Sequence, residues 1–172
     1  DNNNETHGFM IGYETEISKM RFLYKKDDNH DITRKFIQDI YDIPNPEKEK
    51  RKYIMYAHNG GKFDCYKILE NCLKHGLYID RMLPKDGRLL TLVLKDFKSN
   101  TTIEFRDSIC LVQGPLDKLL KDFQCKTLKL VGTVDYESVN ENNYHLIDIF
   151  KPFVQYLEND VKGLLELILK IR

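Results

Sequence analysis

The chain has 172 residues and carries 27 basic and 27 acidic side chains, so its formal net charge is zero. That length suits one domain, and a hydrophobic content of 41% is enough for a core. Zero net charge removes a strongly basic surface as an argument for nucleic-acid binding, while leaving room for a basic groove balanced by an acidic site. No apolar run reaches the length of a membrane span, no signal peptide is visible, and the chain does not begin with Met. The cysteines Cys65, Cys72, Cys110 and Cys125 lack CxxC spacing. They read as reduced thiols in or beside a core, in an intracellular reducing compartment, rather than as a zinc site. Lys, Asn, Asp, Ile and Tyr are frequent and Trp is absent, a composition typical of an AT-rich genome.

In chain order, Asp1 to His7 is polar. Gly8 to Tyr13 and Lys19 to Lys25 read as two strands of a hairpin. Asp31 caps a helix whose apolar positions Ile32, Phe36, Ile37, Ile40 and Tyr41 recur at helical spacing. Pro44 to Lys52 is a charged loop. A strand from Tyr53 to Ala57 then runs into His58-Asn59-Gly60-Gly61, and a helix from about Asp64 to His75 follows, with Gly76 at its C-terminal cap. Leu77 to Arg81 and Leu89 to Lys95 alternate like strands around the turn residues Lys85-Asp86-Gly87. Thr101 to Arg106 is a further strand. Pro115 opens a short helix, Gly132 to Asn143 is loop-like, and Tyr144 to Phe150 forms a short helix. Pro152 begins a long final helix with Phe153, Val154, Leu157, Val161, Leu164, Leu165, Ile168 and Leu169 on its apolar side. Glu166 reads as its solvated face. Strands early with helices mixed in make an α/β domain, a mixed sheet covered by helices.

Two places carry candidate chemistry. Asp64 follows a strand and a Gly-Gly turn and stands at a helix start, where an acid also serves as a simple N-cap. Tyr156 and Asp160 are four residues apart on the last helix and share one face. That face adjoins the apolar stripe, where an acid needs a partner or an outlet to water. His58 reads as a hydrogen-bonded turn residue more readily than as a metal ligand.

Taken together, these stretches resemble the second and third motifs of the 3′–5′ exonuclease domain of family B DNA polymerases, in the protein-primed branch of bacteriophages, linear plasmids and mitochondrial elements. The family's His-Asn-x(2–3)-Phe/Tyr-Asp turn is matched by His58-Asn59-Gly60-Gly61-Lys62-Phe63-Asp64, and its Tyr-x-x-x-Asp by Tyr156 and Asp160. Phe105 to Cys125 looks like the branch's Asp-Ser segment with its Leu-x-x-Leu-x-Lys-x-Phe continuation, and Lys129 falls where the family keeps a lysine. The resemblance covers nearly the whole chain and implies a ribonuclease-H-like fold. It implies four carboxylates holding two Mg²⁺ or Mn²⁺ ions roughly 3.5–4 Å apart. Asp64 and Asp160 would be metal ligands, Tyr156 would orient the attacking water, and Lys129 would steady a phosphate. Asn59, Phe63, Ser108 and His58 would contact a single-stranded DNA 3′ end.

The family's first motif, Asp-x-Glu on the first strand, has no good copy. Glu14 stands in the place of its Glu, but Gly12 stands where its Asp should be, and Glu14 reads as a poor substitute ligand. Residues 7–13 align better with the strand after that motif. The expectation is therefore a single exonuclease-like domain over residues 1–172, lacking its first central strand and the polymerase part. An upstream segment or another polypeptide would supply the strand, since unpaired buried backbone is costly. Two functions follow: a proofreading exonuclease domain of a protein-primed polymerase, with a terminal protein as a further partner, or an inactive exonuclease-like domain serving as a structural or binding subunit of a larger complex. Family habit and composition suggest a mitochondrial setting for either.

Overall fold

The structure is a computed structural model that describes residues 10–15, 18–24, 31–130, 132, 134, 135, 138, 139, 143 and 146–172. Gly8 and Phe9 of the first expected strand, and Tyr144 and His145 of the expected short helix, lie outside the described residues. Strands β1 (Met10–Thr15) and β2 (Ser18–Tyr24) pair antiparallel. Helix α1 (Ile32–Tyr41) precedes β3 (Arg51–Ala57), and α2 (Asp64–His75) follows it. Strands β4 (Ile79–Lys85), β5 (Arg88–Asp96) and β6 (Thr101–Asp107) then form a meander, followed by α3 (Leu116–Asp122) and α4 (Ile147–Ile171). The main sheet has the order β3-β6-β5-β4, with β3 parallel to β6 and the other pairs antiparallel. This mixed sheet flanked by helices is the α/β, ribonuclease-H-like architecture that the sequence implies.

Alternation along the strands sends one side of the sheet into the core. Leu92 and Leu94 of β5 and Ile103 and Phe105 of β6 pack with Phe36, Ile37 and Ile40 of α1 and Cys65, Ile68 and Cys72 of α2. Burial pushes the Cys65 thiol up to about 12 and the Cys72 thiol to about 11, so both are unreactive core groups. All four cysteines are free; Cys110 alone is exposed. A second cluster joins Leu116, Leu119 and Leu120 of α3 to Leu167 of α4. There α4 comes so close that a Cβ on Gly163 would stand 2.8 Å from the Leu120 Cδ1.

The structure departs from the sequence reading in four places. β3 begins at Arg51, inside the expected loop, because Arg51 pairs with Thr101 and its guanidinium donates to the carbonyls of Ile43 and Pro44. The strand expected at Leu77–Arg81 runs from Ile79 to Lys85 and includes Pro84. It is an edge strand, where a missing N–H costs little and an exposed face needs no alternation. Pro152 does not start the last helix. A single helix begins at Ile147 with Pro152 inside it, past the first turn, where the missing N–H forfeits one ladder bond. Finally, Glu166 is not simply solvated: its two carboxyl oxygens accept from the backbone N–H groups of Lys126 (2.7 Å) and Thr127 (3.1 Å), pinning the segment after α3 to α4.

A cavity of about 610 Å³ separates the two sheets. Consecutive residues of β1, Met10 to Glu14, and of β3, Ile54 to Ala57, line it. A strand face would contribute only alternate residues, so it is the strand edges that open onto this space. Among the described residues β1 pairs only with β2 and β3 only with β6. Val161, Leu164 and Ile168 of α4 line another part of the wall.

Asp31 ties the helical layer together. Its carboxyl accepts from Arg34 N at 2.9 Å, capping α1, and from Asn71 Nδ2 (2.6 Å) and His75 Nε2 (2.9 Å) of α2. Burial opposes its charge, but these hydrogen bonds outweigh burial and hold the carboxyl below its ordinary range. The stabilisation is therefore present above the unfolded carboxyl range, near pH 4, and fades as pH falls through the lower folded value. Asp31→Ala is expected to cost about 1–2 kcal/mol at neutral pH, with the deficit shrinking in acid, as urea titrations at several pH values would read.

Candidate active site and strand-end grip

One end of the main sheet gathers the candidate residues. Ala57 at the end of β3 and Asp107 at the end of β6 are register partners, and β5 starts beside them at Arg88. The chain leaves β3 through His58, then Asn59 in the left-handed region (φ 60°), then a 3₁₀ turn over Gly60–Lys62, and enters α2 through Phe63. The glycines are required by closeness. A Cβ on Gly60 would lie 2.5 Å from the Ala57 Cβ, and one on Gly61 would lie 2.8 Å from both the Asp107 Oδ2 and the Leu89 carbonyl oxygen.

Asp107 is wholly buried. Its Oδ2 accepts from Gly61 N at 3.1 Å and from Arg88 Nη1 at 3.3 Å, and its Oδ1 accepts from Ile109 N at 3.1 Å. The same Arg88 Nη1 donates to Asn59 Oδ1 at 2.7 Å. The His58 ring bridges to the next segment, with Nδ1 2.9 Å from Ser108 Oγ and Nε2 3.0 Å from the Gly114 carbonyl. A carbonyl only accepts, so Nε2 carries a hydrogen, and in the neutral ring Nδ1 accepts from the Ser108 hydroxyl. Both ring nitrogens are thus spent inside the protein, in keeping with a turn residue rather than a metal ligand. Phe63, by contrast, is 65% exposed.

Asp64 is the first residue of α2 and not its cap; Phe63 holds the cap position with no side-chain cap bond. The Asp64 carboxyl stands at the rim of the cavity, open to solvent on one side and crowded by protein on the other. Burial raises it above the ordinary carboxyl range, its own backbone N–H partly offsets that, and the charge of Asp107 adds to the rise. Glu14 lines the same cavity.

The second group sits along α4. Lys129 Nζ lies 3.0 Å from Asp160 Oδ2 and 5.0 Å from the centre of the Tyr156 ring. Burial works against the lysine's charge, but hydrogen bonds to Tyr156 and Asp160 prevail and raise its pKa. The other Asp160 oxygen, Oδ1, is buried with no hydrogen-bond partner. Lys129, which the sequence names apart from Tyr156 and Asp160, therefore joins that pair in one cluster, and Asn59, His58 and Ser108 belong to another. No described hydrogen bond or ion pair joins Asp64 to Asp160. Among the described residues no three His, Cys, Asp or Glu side chains gather closely enough to hold a metal ion. The unpaired Asp160 oxygen and the raised Asp64 carboxyl suit cation ligation individually, but these residues alone do not make a metal centre.

Sequence reasoning misses Arg88, which carries no motif and is brought to the site only by the β4–β5 hairpin. It passes over Asp107 as the neighbour of Ser108, although the quoted Asp-Ser segment contained the signal.

Residues 47–151, more than half of the chain, match the family described as DNA polymerase type B, organellar and viral, and the chain belongs to that family. It is also similar to a protein named "Probable DNA polymerase" from Agaricus bitorquis, 30% identical over 169 residues. That match takes in 81% of this chain and 21% of the relative, so the chain spans about a fifth of the curated protein's length. No solved structure matches. Among the described residues no helix is long and apolar enough to cross a membrane.

Two substitutions probe this construction. Gly61→Ala forces a methyl against a backbone carbonyl and the buried Asp107, and is expected to cost about 1–3 kcal/mol by chemical denaturation. Lys129→Met removes the partner of a largely buried Asp160 and is expected to cost about 1–3 kcal/mol, most of it recovered by adding Asp160→Asn.

Proposed function

We propose that the chain is the 3′–5′ exonuclease, or proofreading, domain of a protein-primed type B DNA polymerase and acts on single-stranded DNA 3′ ends. One observation carries this reading. Motif pieces about fifty residues apart in sequence are hydrogen-bonded to each other at one sheet end, His58 to Ser108 and Gly61 to Asp107. A chance scatter of motif letters has no reason to converge. The exposed Phe63 ring offers a stacking surface for a base, and the exposed Lys62 and Lys85 supply positive charge on the same side. A terminal protein is a partner of the whole polymerase on this reading.

In this class of nuclease a pair of divalent metals supplies the activated water. For this chain, Mg²⁺ or Mn²⁺ binding is proposed only once a strand carrying further carboxylates fills the cavity between β1 and β3. That strand would come from a preceding segment or another polypeptide, and Asp64 and Asp160 would be two of the ligands. The chain's own residues then hold and orient the DNA end. The second reading, an inactive exonuclease-like domain with a structural role, is favoured by the lack of a three-ligand group among the described residues.

Nucleotide release by the parent polymerase that contains this chain decides between them, since none supports the second reading; the test of the site is Asp64→Ala. On the exonuclease reading it abolishes release of nucleotides from a 3′-labelled oligonucleotide with Mn²⁺ and leaves the thermal midpoint near that of the parent. Unchanged degradation would remove Asp64 from the site. Because the folded Asp64 carboxyl is raised, its contribution to stability is present at low pH and is lost as pH rises through that value. Asp64→Asn should therefore gain stability over the parent as pH rises, when no divalent metal is present.

A further inference from the structure

We propose that Arg88 is a positioning residue that fixes which way Asn59 faces, so that Asn59 meets the DNA strand as a hydrogen-bond donor; this rests on the exonuclease reading above. Arginine has only donors. Its Nη1, 2.7 Å from Asn59 Oδ1, engages the carboxamide oxygen and so leaves both hydrogens of the amide nitrogen for another acceptor. Nothing among the described residues accepts from that nitrogen. The groups a single strand offers to a donor are phosphate, sugar and base oxygens and ring nitrogens, all acceptors. An unclamped carboxamide would present its oxygen or its nitrogen with nearly equal ease.

The clamp is itself fixed from below. Arg88 shares its Nη1 with the buried Asp107, which also accepts from Gly61 N in the turn that follows Asn59. Asn59, in the left-handed region, has its backbone set by that turn. Backbone and side chain of Asn59 are thus referred to the same buried carboxyl group. Arg88 reaches this point because Gly87, at φ 68°, closes the β4–β5 turn and starts β5 beside the end of β6. The arginine acts through Asn59, and its side chain is mostly covered by the protein.

A double-mutant cycle on the polymerase containing this chain separates positioning from direct contact. The readout is the affinity for a fluorescent oligo(dT) with a free 3′ end, by anisotropy with Ca²⁺ in place of Mg²⁺. Primer-template affinity and thermal midpoint are measured alongside. Asn59→Ala should weaken single-strand binding by about 5- to 10-fold, the worth of one hydrogen bond, and Arg88→Met by about 2-fold, because the freed carboxamide then offers its donor side only about half the time. The double variant should be no weaker than Asn59→Ala. Arg88→Met with parental affinity, or a further loss of similar size in the double variant with a shallower salt dependence, overturns the proposal; the latter marks a direct phosphate contact. Asn59→Asp keeps an acceptor for Arg88 but replaces the amide donors by a negative charge, so it carries the test if Arg88→Met does not fold when read at high salt, where the added charge is screened. Affinity equal to the parent there also overturns the proposal. A parent protein that does not hold the oligonucleotide, or Asn59→Ala with parental affinity, overturns the exonuclease reading itself.

Discussion

The buried carboxyl group of Asp107 is the constraint on which the site depends. Taking such a group out of water is costly unless its oxygens are met by donors. Here three donors from three segments meet them: Gly61 N from the turn before α2, Ile109 N from the segment after β6, and Arg88 from the start of β5. Removing any of these segments leaves a buried polar group short of a partner. The turn that carries Asn59, Phe63 and Asp64 is therefore not a mobile loop laid on a sheet. It is fastened to the sheet end by the most expensive group to leave unsatisfied.

That fastening explains the glycines as well. Gly61 donates to Asp107 across a gap that admits no Cβ, and Gly60 passes over Ala57 in the same way. His58 extends the brace sideways to Ser108 and the Gly114 carbonyl, which fixes the entry to α3. On the far side, α3 holds α4 by the close approach at Gly163, and α4 carries Tyr156 and Asp160. The two candidate clusters thus belong to one packed framework, with the apolar cavity between β1 and β3 left at its centre.

The state of the two acids fits that arrangement. Asp160 has one oxygen neutralised by Lys129 and one buried without a partner. Asp64 stands at the cavity rim, where burial and the charge of Asp107 raise its carboxyl above the ordinary range. Each would be relieved by a nearby cation, yet the described residues supply no third ligand to hold one. Lys129 as internal counter-ion keeps the partly buried Asp160 compatible with a folded chain.

Much of this was legible in the sequence. The helical spacing of Ile32 to Tyr41, the capping Asp31 and the span Asp64–His75 with Gly76 after it were set by local periodicity and turn chemistry, as was the presence, though not the bounds, of the strands before and after. The spacing of Tyr156 and Asp160 placed them on one face without further information, because a helix repeats every 3.6 residues. What the tertiary structure decided is everything that depends on which strands are neighbours. β6 returns parallel to β3 and β5 runs back beside it, so Asp107 and Arg88 arrive under Asn59 from 48 and 29 residues away in sequence. It likewise decided that Glu166 would bind backbone and that Pro152 would lie inside a helix. Local sequence fixes an element's period; only the paired sheet fixes which side chains share its end.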